Sequence, residues 1–253
     1  MVPAVVARGL TVARGQRLAL DGVDLVLDQG TVTALVGPNG SGKSTLLHAI
    51  AGLVEPARGE LTVLGVSARS ARPRVAYVLQ RTRLNGVLPI SVREVVAMGS
   101  WRRPGGRAAQ RAAVDGALAQ LDLAGLADRQ LVELSGGQRQ RALVAQGLVQ
   151  DAELLLLDEP LAGLDAPSAA AIAAVLTAER LRGRTVVFAT HDLADAERAD
   201  NVVLLNRRVV ASGPPATVFT PEHLAAAYGV RALESGAVVL DDPGHHHWDT
   251  PAS

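Results

Sequence analysis

The apolar positions fall into two rhythms. Over the first thirty residues short apolar runs alternate with turn residues, as where Val23–Leu27 follows Asp21 and Gly22, and this predicts antiparallel strands. Thr31–Val36 reads as a compact buried strand, and the glycine-rich stretch after it leads into a helix from about Lys43 to Leu53. Leu61–Leu64 and Arg74–Val78 are further predicted strands. From Arg81 to Gln150 the spacing turns helical, over Val92–Met98, Ala108–Leu121 and Gln138–Val149. Strands and helices then alternate: strand Leu154–Leu157, a helix Pro167–Leu181 opened by its proline, strand Thr185–Ala189, a short helix Asp192–Arg198, and strands Val202–Leu205 and Val209–Ala211. The economical reading is one α/β domain over residues 1–232, with a parallel core and a helical insertion at about 81–150. Residues 233–253, rich in Pro, Asp and His, are expected to form a flexible tail.

Composition narrows the class. Hydrophobic residues make up 48% of the 253 positions but aromatics only 2%, so the core must be built from Leu, Val, Ala and Ile. The formal charge is zero, so no global basic field recruits nucleic acid, and none is expected as a partner. The chain has no cysteine, which excludes disulfides and thiolate metal sites. The first residues carry no basic stretch leading into an apolar one, so no signal peptide is expected. Apolar runs such as Leu154–Leu157 and Ala169–Leu176 are far too short to span a bilayer, so work at a membrane would require other chains.

All but one of the 25 basic residues are arginine; the exception is Lys43. A single lysine marks a position where a compact ammonium serves and a guanidinium fork does not. It closes the stretch Gly37, Pro38, Asn39, Gly40, Ser41, Gly42, Lys43, Ser44 and Thr45, which satisfies G-x-x-x-x-G-K-[ST] between a predicted strand and a predicted helix. Glycines let the backbone wrap a phosphate with its amides inward, and the helix N-terminus adds a favourable dipole. Lys43 would bridge the β- and γ-phosphates of ATP, and the Ser44 hydroxyl would ligate Mg2+. Downstream, the apolar run Leu154–Leu157 ends in Asp158 and Glu159, at the strand end where α/β sheets place ligand chemistry. Asp158 can hold the magnesium and Glu159 can polarise the attacking water as general base.

Between these elements lie Leu134, Ser135, Gly136, Gly137 and Gln138, a pentapeptide that matches the signature of the ATP-binding cassette (ABC) ATPases without substitution. The chain resembles that family over roughly residues 5–215. The fold this implies is a P-loop NTPase (RecA-like) core with an N-terminal antiparallel β subdomain and an inserted α-helical signature subdomain. Ser135 and its two glycines at a helix start would form a second anion-binding nest. In the family, each ATP is sandwiched between the phosphate loop of one copy and the signature of the other, which implies a two-fold homodimer. The resemblance further implies that Gln80 contacts magnesium and links the core to the helical lobe. It makes Asp165, after Gly163 and Leu164, part of the loop crossing the dimer interface, and His191 the switch that senses the γ-phosphate. His48, five residues past Lys43, is better explained by packing. Three positions depart from the family pattern. Arg14 stands where an aromatic commonly stacks on adenine; a guanidinium plane can also stack, with weaker affinity, unless the alignment shifts by one. Leu79 replaces a frequent proline before Gln80. Gln146 and Gly147 interrupt the signature helix where Arg-Ala is usual, which predicts a looser helix, since a mid-helix glycine costs ~1 kcal/mol against alanine.

The stretch from Arg81 through Pro89, Ile90, Ser91 and Val92 to Met98 and Gly99 is similar to importers of zinc, manganese and chelated iron. So are Leu205–Arg208, Gly213–Pro215 and Thr220–Gly229. On this resemblance the chain is the ATPase of a transition-metal importer, peripheral on the cytoplasmic face of the membrane. Its partners would be an integral permease and an extracytoplasmic solute-binding protein; the apolar residues of 81–99 could form a groove for a short permease helix, or pack the helical lobe internally, as some of them must. Importers of haem, siderophores or cobalamin are the alternative. An exporter ATPase, or a soluble ABC ATPase of DNA repair, chromosome structure or translation, is the reading from another class. His245, His246 and His247 could bind a transition metal, but a solvated tail accounts for them as well.

Overall fold

Successive side chains of a strand point to opposite faces, so a strand that is apolar at every position must be covered on both sides. Three such strands form the centre of the computed structural model, which describes residues 2–15, 17–79, 89–101 and 105–229. The strands are β1 (Pro3–Arg14), β2 (Arg17–Asp28), β3 (Val32–Val36), β4 (Arg58–Val63), β5 (Val66–Ser67), β6 (Val75–Val78), β7 (Leu154–Asp158), β8 (Thr185–Thr190), β9 (Asn201–Asn206) and β10 (Arg208–Gly213). The helices are α1 (Lys43–Ile50), α2 (Ala68–Ala71), α3 (Val92–Met98), α4 (Gly106–Gln120), α5 (Gly136–Val149), α6 (Ala166–Leu181), α7 (Leu193–Ala196), α8 (Pro215–Val218) and α9 (Pro221–Tyr228). Gln80, residues 81–88 and His245–His247 lie outside the described residues.

The central sheet runs β10-β9-β3-β8-β7-β6, and a second sheet runs β2-β1-β4-β5. All neighbours in the central sheet are parallel except β10, which returns antiparallel to β9. Every position of β3, β7 and β8 is buried. One set of alternate residues, including Leu154, Leu156, Val187 and Val203, packs with Leu46, Leu47 and Ile50 of α1 and with the antiparallel sheet. The other set, including Leu155, Leu157, Phe188 and Leu204, packs with Val96, Leu118, Val144 and Ile172 from α3 to α6. The central sheet thus separates two aliphatic cores.

Several elements differ from expectation. Asp21 and Gly22 do not make a turn; they lie inside β2, with Gly22 at φ 64° and the strand pairing shifting register nearby, so two long bulged strands replace a series of short ones. Helix α1 stops at Ile50, short of Leu53. Gly52 follows at φ 68°, where a side chain would come within 2.7 Å of the Ala68 carbonyl oxygen. Helices α8 and α9 belong to a stretch for which the apolar pattern predicted no element. Glu179, 1% exposed, accepts from Arg182 at 2.7 Å and Arg184 at 2.6 Å, and Arg184 also pairs with Asp151. That cluster ties α6 to the start of β8.

The expected looseness of the signature helix is corrected. Helix α5 runs unbroken through Gln146 and Gly147 to Val149. Gly147 is buried against β6, and a Cβ there would sit 2.6 Å from Val78 Cγ2. The glycine permits the helix to approach the sheet. Gly116, in the middle of α4, has nothing within 4 Å of its Cβ position and is exposed. The two helix glycines should therefore respond with opposite sign. Gly116→Ala is expected to stabilise by about 0.5–1 kcal/mol. Gly147→Ala is expected to lose about 1–2 kcal/mol through overpacking, despite its better helix propensity. Urea denaturation of both variants measures the difference; equal stabilisation would mean that α5 is free to shift.

Candidate active site

A turn that must wrap an anion needs backbone free of Cβ atoms. After β3 the chain enters the loop Gly37–Gly42, wedged between β2 and β9. A side chain on Gly37 would collide with the Leu205 carbonyl oxygen, and one on Gly42 would lie 2.6 Å from the Ala19 carbonyl oxygen. Gly42 caps α1 in the left-handed region at φ 103°. The Ser41 amide donates to the Pro38 carbonyl at 3.1 Å, and the Ser41 carbonyl accepts from the Arg207 amide at 2.7 Å. The loop is thereby tied to the turn between β9 and β10.

Lys43, 5% exposed, donates from Nζ to the carbonyls of Gly37 at 2.6 Å and Pro38 at 3.1 Å. Burial lowers its basicity, and the negative charges of Glu159 and Asp158 act against that shift. Asp158, at the end of β7, is buried; its Oδ1 has no hydrogen-bond partner, and its Oδ2 lies 3.5 Å from the Tyr77 hydroxyl. A buried carboxylate oxygen without a donor is costly alone and suits a cation. The Asp158 oxygens, and the hydroxyl of Ser44 at the start of α1, are hard donors of the kind magnesium prefers. Glu159 adopts φ 48°, a strained backbone for a non-glycine residue, and its amide donates to the Ala189 carbonyl at 3.0 Å. That turn aims its carboxylate at the cleft, where Oε1 lies 3.5 Å from Nδ1 of His191. His191 follows β8, and Asp192 beyond it caps α7 by accepting from the Ala194 amide.

The cleft, about 480 Å3, is lined by Arg14, Ala19, Asn39–Thr45, Glu159 and His191. Ser135 and its neighbours are not part of this lining. Ser135 caps α5 in a reciprocal box with Gln138: the Gln138 amide donates to Ser135 Oγ at 3.2 Å, and the Ser135 amide donates to Gln138 Oε1 at 3.0 Å. A Cβ on Gly137 would lie 2.5 Å from Asp165 Oδ1, so α5 begins directly against the N-cap of α6, while Gly136 faces open space.

One expectation is corrected. His48 is not simply a packing residue. Its Nδ1 accepts from Arg14 Nη2 at 2.8 Å, and its ring meets Tyr77 edge-to-face at 5.5 Å. Burial first, and then the Arg14 charge, lower its basicity, with Asp158 acting in the opposite sense. Burial and Asp158 likewise push the Tyr77 hydroxyl up. Sequence reasoning passed over Tyr77, although it is one of only two tyrosines and the only polar side chain in β6.

The geometry is that of a phosphate site at the carboxyl ends of β3, β7 and β8, which places the molecule among the P-loop nucleotide hydrolases. Comparison with known proteins narrows this. The ABC transporter family profile matches residues 20–162. The zinc transport system ATP-binding protein TroB of Treponema pallidum is 44% identical over 90% of this chain and 88% of its own. The manganese transport system ATP-binding protein MntB of Listeria monocytogenes is 41% identical over 88% of this chain and 95% of its own. A solved metal-chelate type ABC transporter, in an inward-facing conformation, superposes with a TM-score of 0.77 at 28% identity, over 91% of this chain and 90% of that one. The chain belongs to the ABC transporter family, as an ATP-binding and ATP-hydrolysing subunit. No helix among the described residues is long and apolar enough to cross a membrane.

Lys43 occupies a pocket fitted to an ammonium, so Lys43→Arg is expected to fail almost as completely as Lys43→Ala. Each should lower phosphate release about 100-fold or more. Circular dichroism should show both variants folded, and turnover above a tenth of the parent's in either one would contradict the assignment.

Proposed function

We propose that the chain is the ATPase of an importer for a transition-metal ion, zinc or manganese, seated on the cytoplasmic face of the membrane against a permease and served by an extracytoplasmic solute-binding protein. The observation that carries the nucleotide chemistry is the convergence of Lys43, Glu159 and His191 on one glycine-built cleft, with the buried Asp158 carboxylate close enough to act on the Lys43 charge. The names of relatives at 44% and 41% identity, zinc for one and manganese for the other, support the cargo class.

On this reading the amides of Gly40–Thr45 and the Lys43 ammonium hold the β- and γ-phosphates, and the phosphate charge restores the basicity that burial takes from Lys43. Ser44, Asp158 and Gln80 would hold magnesium, which supplies neutralising charge on the phosphate oxygens. Glu159 accepts the proton of the attacking water. His191, beside Glu159, faces the γ-phosphate. Arg14 takes the adenine. The signature residues Ser135–Gln138 act on the nucleotide of a second copy, and Asp165, packed beside Gly137, lies at that seam. Two anion-binding surfaces that do not share a cleft in one chain support this sandwich.

Glu159→Gln removes the proton acceptor and keeps the shape. With Mg-ATP it is expected to elute as a dimer on size exclusion and to hydrolyse at under about a hundredth of the parent rate. A monomer at saturating nucleotide would sink the sandwich. Deletion of the gene from its host should lower uptake of radiolabelled zinc or manganese. Unchanged metal uptake, with loss of siderophore, haem or corrinoid uptake, would transfer the chain to the alternative cargo class.

A further inference from the structure

The base-binding end of the cleft poses a physical problem. Arg14 is the last residue of β1, exposed and followed by Gly15 at φ 60°. A long side chain at the tip of a hairpin has rotamer freedom to lose before it can present a flat face to a ligand. A carboxylate partner would fix it but would also cancel its charge. Arg14 instead donates from Nη2 to Nδ1 of His48 at 2.8 Å. Arginine has no acceptor, so Nδ1 must offer its lone pair and the ring proton sits on Nε2. The lowered basicity of His48, caused by burial and by Arg14 itself, keeps the ring in that neutral form.

His48 is itself fixed. It lies on α1, the helix that Lys43 opens, so it is referenced to the phosphate loop by a rigid element. Its ring is braced edge-to-face by Tyr77, with interplanar angle 86°, and the Tyr77 hydroxyl is 3.5 Å from Asp158. Side chains from β1, α1, β6 and β7 thus run from the base end of the cleft to its carboxylate end.

We infer that His48 is a positioning residue for the nucleotide base: by accepting from Arg14 it holds the guanidinium plane where adenine stacks, while His48 itself stays outside the cleft lining. The inference rests on the reading that Arg14 faces adenine. Ordering one rotamer-rich side chain in advance corresponds to about three- to tenfold in affinity.

The test compares ATP with inorganic tripolyphosphate, both with magnesium, by isothermal titration on the full chain. Arg14→Ala and His48→Leu should each weaken ATP about three- to tenfold and leave tripolyphosphate unchanged. The double variant should bind ATP no more weakly than Arg14→Ala alone, because the two residues act as one unit. His48→Asn, whose amide oxygen can replace Nδ1 as acceptor, should recover most of the ATP affinity. If Arg14→Ala leaves ATP binding intact, Arg14 does not face the base, and the inference falls with that reading. If Arg14→Ala weakens ATP but both His48 variants bind like the parent, the base contact stands and the role of His48 is overturned. An equal loss of tripolyphosphate binding in the His48 variants would place His48 in support of the phosphate loop and also overturn it.

Discussion

Strand β8 lies between β3 and β7, with Val36 opposite Thr190 and Asp158 opposite Ala189. Everything at the site depends on that shared register. The loop that opens at Gly37, the carboxylates of Asp158 and Glu159, and the imidazole of His191 leave the sheet at one edge because their strands end together. A slip of one residue would turn every side chain to the opposite face. Because β7 presents leucine to both cores, a slip would cost it little inside; what it would misplace is Asp158 and Glu159 at the strand's end. The parallel backbone pairing aligns the polar groups, and the hydrogen bond from the Glu159 amide to Ala189 continues that alignment one residue past the strand.

The loop itself is a problem of crowding and charge. Backbone from β2 and β9 approaches so closely that positions 37 and 42 cannot carry a Cβ. The lysine sits where two carbonyls of its own loop accept its protons, and burial works against its charge. A compact ammonium meets both carbonyls there, and a planar, wider guanidinium is expected to fit less well. In a chain that otherwise uses arginine throughout, the geometry of the loop accounts for the exception.

Much of this was legible from the chain alone. Continuous apolar runs such as Leu154–Leu157 are what strands covered on both faces must show, and the phosphate loop and signature carry their spacing within a few residues. What stayed hidden depends on partners distant in sequence. A bulged strand with an internal Gly22 reads locally as a turn. Gly147 reads as a weak point in a helix until Val78, 69 positions earlier, is found against it. His48 reads as one more buried helix position, since Arg14 and Tyr77 come from β1 and β6. Helix α8, at four residues, is a single turn and too short for a periodicity to show.

The arrangement also explains why the chemistry of the cassette is indifferent to cargo. On the proposed reading every group in the cleft would face phosphate, magnesium, water or a purine, and none would face the transported ion. Hydrolysis can do work on a permease only if the paired state of two cassettes is stable with the γ-phosphate and unstable without it. In one chain the signature helix begins against Asp165 rather than in the cleft, so in the proposed sandwich the donors that complete the phosphate shell would come from a second copy. Loss of the γ-phosphate would then weaken that seam directly. The base end, held by Arg14 and His48 on elements of the same chain, is not part of that seam. On the proposed reading, a nucleotide would keep its base and inner-phosphate contacts within one chain while the pair opens.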